Sequence, residues 1–105
     1  MKKRPLTVSH DEWLLKKLRS NPAFAVEYLK ASLEEMDEPG GKVALREALK
    51  DIAQACGIAK VAKAAGIPRE SLSRALSSRG NPRLDTLTAI VHGMGLRLTV
   101  QPAAH

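Results

Sequence analysis

An all-α fold is predicted, a helical bundle built on a helix-turn-helix, with an N-terminal helical arm and a short C-terminal strand. Three observations predict it. Apolar residues recur at helical rather than alternating spacing through most of the 105 residues. The stretch 58–77, IAKVAKAAGIPRESLSRALS, reads as two short helices pinned at a right angle by one glycine. Charge divides the chain: residues 1–39 hold 7 Lys/Arg against 7 Asp/Glu and residues 40–105 hold 10 against 4, so the whole net charge of +6 lies with the helix-turn-helix. The length suits one domain with a modest core. Within it, 1–39 is expected to be the arm and 40–105 the basic helix-turn-helix part.

Residues 1–8 are basic and contain Pro5, so an extended or disordered lead is expected, with Lys2, Lys3 and Arg4 solvated or touching phosphate. Ser9 and Glu12 form a capping box for a helix over 10–19. Its apolar residues Trp13, Leu14, Leu15 and Leu18 exceed one narrow stripe. Asn21 and Pro22 supply a cap and a first helical residue for a second helix to about Met36, burying Ala25, Tyr28, Leu29, Leu33 and Met36. The acidic run Glu34, Glu35, Asp37 and Glu38 ends that helix, and Pro39-Gly40-Gly41 breaks it. From 43 to 56, Leu45, Leu49, Ile52 and Cys56 recur at helical spacing beside Ala48 and Ala53, and Gly57 supplies the stop. That helix is the expected floor beneath the helix-turn-helix.

In the first helix of the motif Ile58, Val61, Ala62 and Ala65 share a face, while Lys60 and Lys63 point the other way. Ala62 is small where a crossing helix comes close, and Gly66 can take the positive φ of a sharp exit. Ile67 fills the corner, and the second helix starts near Pro68 or Arg69, since proline suits a first helical turn. It buries Leu72, Ala75 and Leu76 and leaves Arg69, Glu70, Ser73, Arg74 and Ser77 outside. Such motifs place the N-terminal half of that strip against base edges in the major groove, where arginine is the side chain best shaped for guanine. Arg69, Glu70, Ser73 and Arg74 are therefore the expected base readers, and Lys60, Lys63, Ser71, Arg79 and Asn81 the expected phosphate contacts. A plain three-helix bundle can also contain a glycine-broken helix pair with a polar face; here size, spacing and charge agree on DNA.

The stretch SSRGNPR is a loop, and Leu84, Leu87, Ile90 and Val91 mark a last helix closed by Gly93 and Gly95. LRLTV, residues 96–100, alternates with period two and reads as a short strand. A single strand has no partner within the chain, so it pairs with a second copy, binds another protein or lies as an extended tail. One recognition helix reads too few base pairs to be selective, so a homodimer is expected. Leu96, Leu98 and Val100 are its candidate seam; the bland alternative is that they fold back on the last helix.

Aromatic residues make up 3% of the chain, and Trp13, Phe24 and Tyr28 all precede the basic half. With no stacking platform there, double-stranded DNA fits better than single strands or RNA loops. Cys56 occupies an apolar helical position, is expected in the core, and fits a reducing cytoplasm. His10, Asp11 and Glu12 interrupt the apolar run that a signal peptide after MKKR would need, and no membrane span follows. His10, His92, His105, Cys56 and the acidic run show no metal-ligand spacing and no nucleophile–base arrangement. No enzyme activity, cofactor, metal or small-molecule substrate is expected.

The string GIPRESLSRALSSRGNPRLDTL, followed by GLRLTV, resembles the antidote proteins of bacterial toxin–antitoxin addiction modules, in the HigA-like group with a Cro/repressor-like (XRE, lambda-repressor-like) helix-turn-helix. EYLKASLEE resembles that group's second helix. Two departures stand out: Pro68 where a capping Ser or Thr is common, and Gly93-Met94 where a more helical pair is usual, which predicts a fraying last helix. The resemblance implies binding to the operator of the protein's own operon as a repressor, and neutralisation of a small toxin similar to RelE-type messenger-RNA-cutting ribonucleases. A stand-alone XRE-type transcriptional regulator without a toxin partner is the alternative.

The toxin is expected on residues 9–38, away from the strip that reads DNA. This arm has no net charge to offer DNA and holds every aromatic residue. It ends in Glu34, Glu35, Asp37 and Glu38, a run suited to steering a basic, phosphate-binding partner. Trp13, Phe24 and Tyr28 either anchor that partner or pack the arm onto the basic half.

Overall fold

The computed structural model describes residues 10–103 as six helices, with no strand among the described residues. The lead before residue 10, Ser9 of the expected capping box and His105 lie outside the described residues. The helices are α1 (His10–Ser20), α2 (Pro22–Glu34), α3 (Gly41–Cys56), α4 (Ile58–Ala65), α5 (Arg69–Ala75) and α6 (Leu84–Gly93). No helix in the described part is long and apolar enough to cross a membrane.

Most helix ends have the causes read from the sequence. Asn21 caps α2, its Oδ1 accepting the Phe24 N–H at 3.1 Å, and Pro22 opens the helix. Gly57 closes α3, its N–H bonding the Ala53 carbonyl at 2.9 Å. Gly66 ends α4 with φ 73°, a left-handed conformation that costs a Cβ-bearing residue about 1 kcal/mol or more. Pro68 stands just outside α5 in an extended conformation, and the helix begins at Arg69.

A single apolar core joins all six helices. α1 and α2 pack on α3, α3 also meets α4, and α4 receives both α5 and α6. Leu14, Leu18, Ala25 and Leu29 from the arm are buried with Leu49, Ile52, Val61, Ala62, Leu72, Leu76, Ile90 and Val91. Leu45, Ile67 and Leu87, also expected in this core, pack against it half-buried, as does Cys56. Two cross-links tie the arm down: Arg19 Nε donates to the Ala55 carbonyl at 3.0 Å, and Tyr28 OH donates to Asp51 Oδ2 at 2.7 Å.

Three sequence expectations are corrected. Leu33 and Met36 are exposed rather than buried: α2 stops at Glu34, so Leu33 sits in its last turn and Met36 lies beyond it, off the helical stripe. The strand over 96–100 does not form; a ladder needs a second strand, and the segment instead lies without regular structure across a groove from α2. Gly93, the supposed weak spot of α6, has a packing role: a Cβ there would stand 2.7 Å from the Val61 carbonyl oxygen, so only glycine lets α6 cross α4 this closely. The following Met94 is buried rather than frayed.

Candidate nucleic-acid and partner interfaces

α5 is a short helix with two unlike faces. Leu72 is 0% exposed and Leu76 is buried, while Ala75 packs half-buried beside them. On the opposite side Arg69, Glu70, Ser73 and Arg74 are exposed, with Ser71 half-buried at the boundary. Lys60 and Lys63 are exposed on α4, and Arg79 and Asn81 on the loop after α5. Ser77 is half-buried, and its hydroxyl donates to the Arg74 carbonyl at 2.8 Å, closing the end of α5. The local cause of this arrangement is the turn at Gly66: the Ile67 N–H bonds the Ala62 carbonyl at 3.1 Å, and α5 leaves at once in a new direction. Of the charged side chains named here only Glu70 is acidic, so α4, α5 and the loop after it expose five cations against one anion. Such a surface can neutralise phosphates and present hydrogen-bond donors to base edges.

The second surface lies on the arm. Phe24 stacks on Tyr28 with centroids 6.1 Å apart and planes at 22°, and meets Trp13 edge-on at 6.3 Å and 74°. Lys17 Nζ lies 5.4 Å from the Trp13 ring and 5.0 Å from the Phe24 ring, within cation–π range of both. The three rings thus form one ladder across α1 and α2, graded from Trp13 at 45% exposure to half-buried Phe24 and Tyr28. Burial, and then the hydrogen bond to Asp51, push the Tyr28 hydroxyl well above the ordinary tyrosine range. Tyr28 therefore fastens α2 to α3 while its ring supports Phe24. Phe24 and Tyr28 stand four apart on α2, a spacing that brings them together, whereas the contact with Trp13 arises from the α1–α2 crossing.

Glu34 at the end of α2 and Glu35, Asp37 and Glu38 in the compact connection after it are all exposed. The Glu38 N–H bonds the Glu35 carbonyl at 3.0 Å, and the Gly41 N–H bonds the Glu38 carbonyl at 2.8 Å. Four carboxylates on so tight a loop concentrate negative potential there. Among the described residues no group of three or more His, Cys, Asp or Glu is placed to hold a metal ion.

A groove of about 400 Å³ separates α2 from the C-terminal tail, lined by Val26, Leu29 and Leu33 on one side and by residues 96–101 on the other. Leu96 packs half-buried against the core, whereas Leu98 and Val100 are exposed.

A protein of Haemophilus influenzae, described as uncharacterized, is 43% identical over 54 residues, covering 51% of this chain and 56% of the relative. This chain therefore spans little more than half of that relative's length. No solved structure matches. The family model described as "Probable addiction module antidote protein" matches residues 13–102, which run from the exposed tryptophan of the arm through the basic helices to the tail. The chain belongs to this family of addiction module antidote proteins.

Proposed function

We propose that this protein is the antitoxin of a toxin–antitoxin module that reads operator DNA with a helix-turn-helix formed by α4 and α5, and represses its own operon as a dimer. The observation that carries the reading is the two-faced α5: Leu72 and Leu76 hold it to the body, while Arg69, Glu70, Ser73 and Arg74 stand in solvent beside Lys60, Lys63, Arg79 and Asn81. Arg69, Glu70, Ser73 and Arg74 read bases. Lys60, Lys63, Ser71, Arg79 and Asn81 contact phosphates. Ser77, half-buried and bonded to the Arg74 carbonyl, holds the helix end rather than reaching far into the groove. The dimer supplies two such helices to a symmetric operator, and its seam runs through Leu96, Leu98 and Val100.

The same reading divides the chain by task. Residues 1–39 take the toxin, a small basic ribonuclease of the RelE kind, and residues 40–105 take DNA. The ladder of Trp13, Phe24 and Tyr28 provides the apolar anchor, and Glu34, Glu35, Asp37 and Glu38 provide the steering charge.

The test compares Arg74→Ala with Lys63→Ala on a duplex from the protein's own promoter and on random duplex. Arg74→Ala is expected to cost about 1–3 kcal/mol on the specific sequence and to loosen sequence choice. Lys63→Ala is expected to weaken both duplexes alike and to lower the salt slope by about one unit. Identical behaviour of the two variants on both duplexes refutes the assignment of roles.

A further inference from the structure

The tail leaves α6 with one anchoring contact of its own. The Leu96 N–H bonds the Val91 carbonyl at 3.0 Å, and the Leu96 side chain packs on the core. From there residues 97–103 form neither helix nor strand, so no ladder takes up their backbone donors and acceptors. Its apolar side chains are equally uncovered: Val100 is 95% exposed, and Leu98 faces the same groove as the exposed Val26 and Leu33 of α2. The groove floor is already apolar, formed by the buried Leu29 and Val91.

We infer that a second copy of this chain completes the groove, its tail pairing antiparallel with this one in a single register centred on Leu98. The inference rests on the dimer proposed above and specifies how it closes. Three arguments select a second copy and this register. First, two chains of net charge +6 repel, so a contact between copies belongs where like charge is sparse: Arg97 is the only charged residue between 96 and 103, and the other two charges lining the groove, Lys30 and Glu34, are of opposite sign. Second, a two-fold axis through Leu98 sets Leu96 opposite the partner's Val100, Leu98 opposite the partner's Leu98, and Arg97 opposite the partner's Thr99, so every apolar residue meets an apolar one. Third, the neighbouring registers fail. An axis at Arg97 brings the two guanidinium groups face to face, and like charges directly opposite are destabilising. An axis at Thr99 places Leu96 opposite Pro102, which cannot donate to a ladder. Residues 96, 98 and 100 share one face of an extended chain. In this register both copies present that face to the two α2 grooves, and the partner's Val100 extends the apolar wall made by Val26 and Leu33.

Cysteine cross-linking reads the register directly. Residues facing each other in an antiparallel pair have Cα atoms about 4.5–5.5 Å apart, diagonal neighbours stand about 7–8 Å apart, and a disulfide spans about 4.4–6.8 Å. Leu98→Cys is therefore expected to form a disulfide-linked pair under mild oxidation. Arg97→Cys and Thr99→Cys should each remain unlinked alone, yet link to one another when the two variants are mixed. The unaltered protein, which carries Cys56, serves as the baseline. Light scattering on the same samples gives the mass, expected to be that of two chains. Val26→Asp with Leu33→Asp, both at exposed sites, should reduce the mass to one chain while the helical circular dichroism stays unchanged. A two-chain mass in which Leu98→Cys fails to link, or in which Arg97→Cys links to itself, overturns the register and leaves the dimer standing. A one-chain mass for the unaltered protein overturns the dimer and the register together. An undiminished mass in the Val26/Leu33 double variant overturns the part of the seam assigned to α2.

Discussion

Replacing Gly93 with alanine adds one methyl group at the crossing of α6 over α4. The new Cβ would stand 2.7 Å from the Val61 carbonyl oxygen, 3.3 Å from the Ala65 nitrogen and 3.3 Å from Val61 Cγ1. Two of these neighbours are α4 backbone, which cannot swing aside, so the helices must separate by roughly 0.5–1 Å. A gap of that size forfeits roughly a quarter to a half of dispersion wells of about 0.1–0.2 kcal/mol each, and on the order of forty contacts at the crossing then lose about 1–4 kcal/mol. The range overlaps that found when a packed core is overfilled, about 1–3 kcal/mol. Opposing it, alanine gains at most about 1 kcal/mol over glycine inside a helix. It gains less at Gly93, the last residue of α6. Clash should win, leaving a net loss of about 1–2 kcal/mol and a melting temperature lower by about 5–10 °C for a domain of this size. Thermal and urea unfolding followed by circular dichroism measure both quantities. An unchanged or raised midpoint would mean that helix propensity dominates and that α6 does not need the close approach.

Leu72→Ala empties a fully buried site in the only helix that carries the proposed base readers, and should cost about 2–5 kcal/mol in urea titration. Tyr28→Phe removes the hydrogen bond to Asp51 and should cost about 1 kcal/mol near neutral pH. Because folding raises the Tyr28 pKa above its ordinary value of 10.0, the protonated hydroxyl's contribution is fully present below that pH and is lost as pH rises further. Stability measured from pH 8 to about pH 11 should therefore fall less steeply in Tyr28→Phe than in the unaltered protein; parallel curves would rule out this linkage. Glu34→Lys with Glu35→Lys, both exposed, should leave the unfolding midpoint nearly unchanged while slowing capture of the cognate toxin at low salt. Equal association rates for the two proteins at low salt would remove the acidic loop from the docking site.

The legible parts of this fold are those governed by local chemistry. Asn21-Pro22, Gly57 and Gly66 each dictate a helix boundary through a cap or a left-handed turn, and the boundaries fall there. The spacing of Leu49 and Ile52, and of Leu72 and Leu76, places them on the inner faces because a helix fixes which side chains lie together. What the sequence concealed depends on the neighbour rather than the helix. Leu33 and Met36 continue the apolar spacing of α2, but periodicity cannot say whether a neighbour covers them. Gly93 resembles a helix breaker until the α4 backbone is seen beside it. The strand expected from the alternation in LRLTV depends on a second strand, which the described residues do not supply. At the candidate site, the exposed faces of α4 and α5 follow from helical spacing alone. The bond from Tyr28 to Asp51 and the contact from Phe24 to Trp13 were hidden, because each joins residues of two different helices.

α4 is a hub: α5 and α6 both reach the rest of the molecule chiefly through it, and α5 has seven residues with Leu72 as its only buried side chain. Opening α5 therefore exposes little apolar surface and leaves the α1–α2–α3 packing intact, so its free-energy cost is a fraction of that for global unfolding. Amide protons of α5 should exchange with solvent sooner than those of α3. Under the proposed reading, a duplex engaging Arg69 and Arg74 would have to hold a segment whose order is partly its own to supply, and a mutation that stiffens α5, far from any base, would tighten every sequence equally.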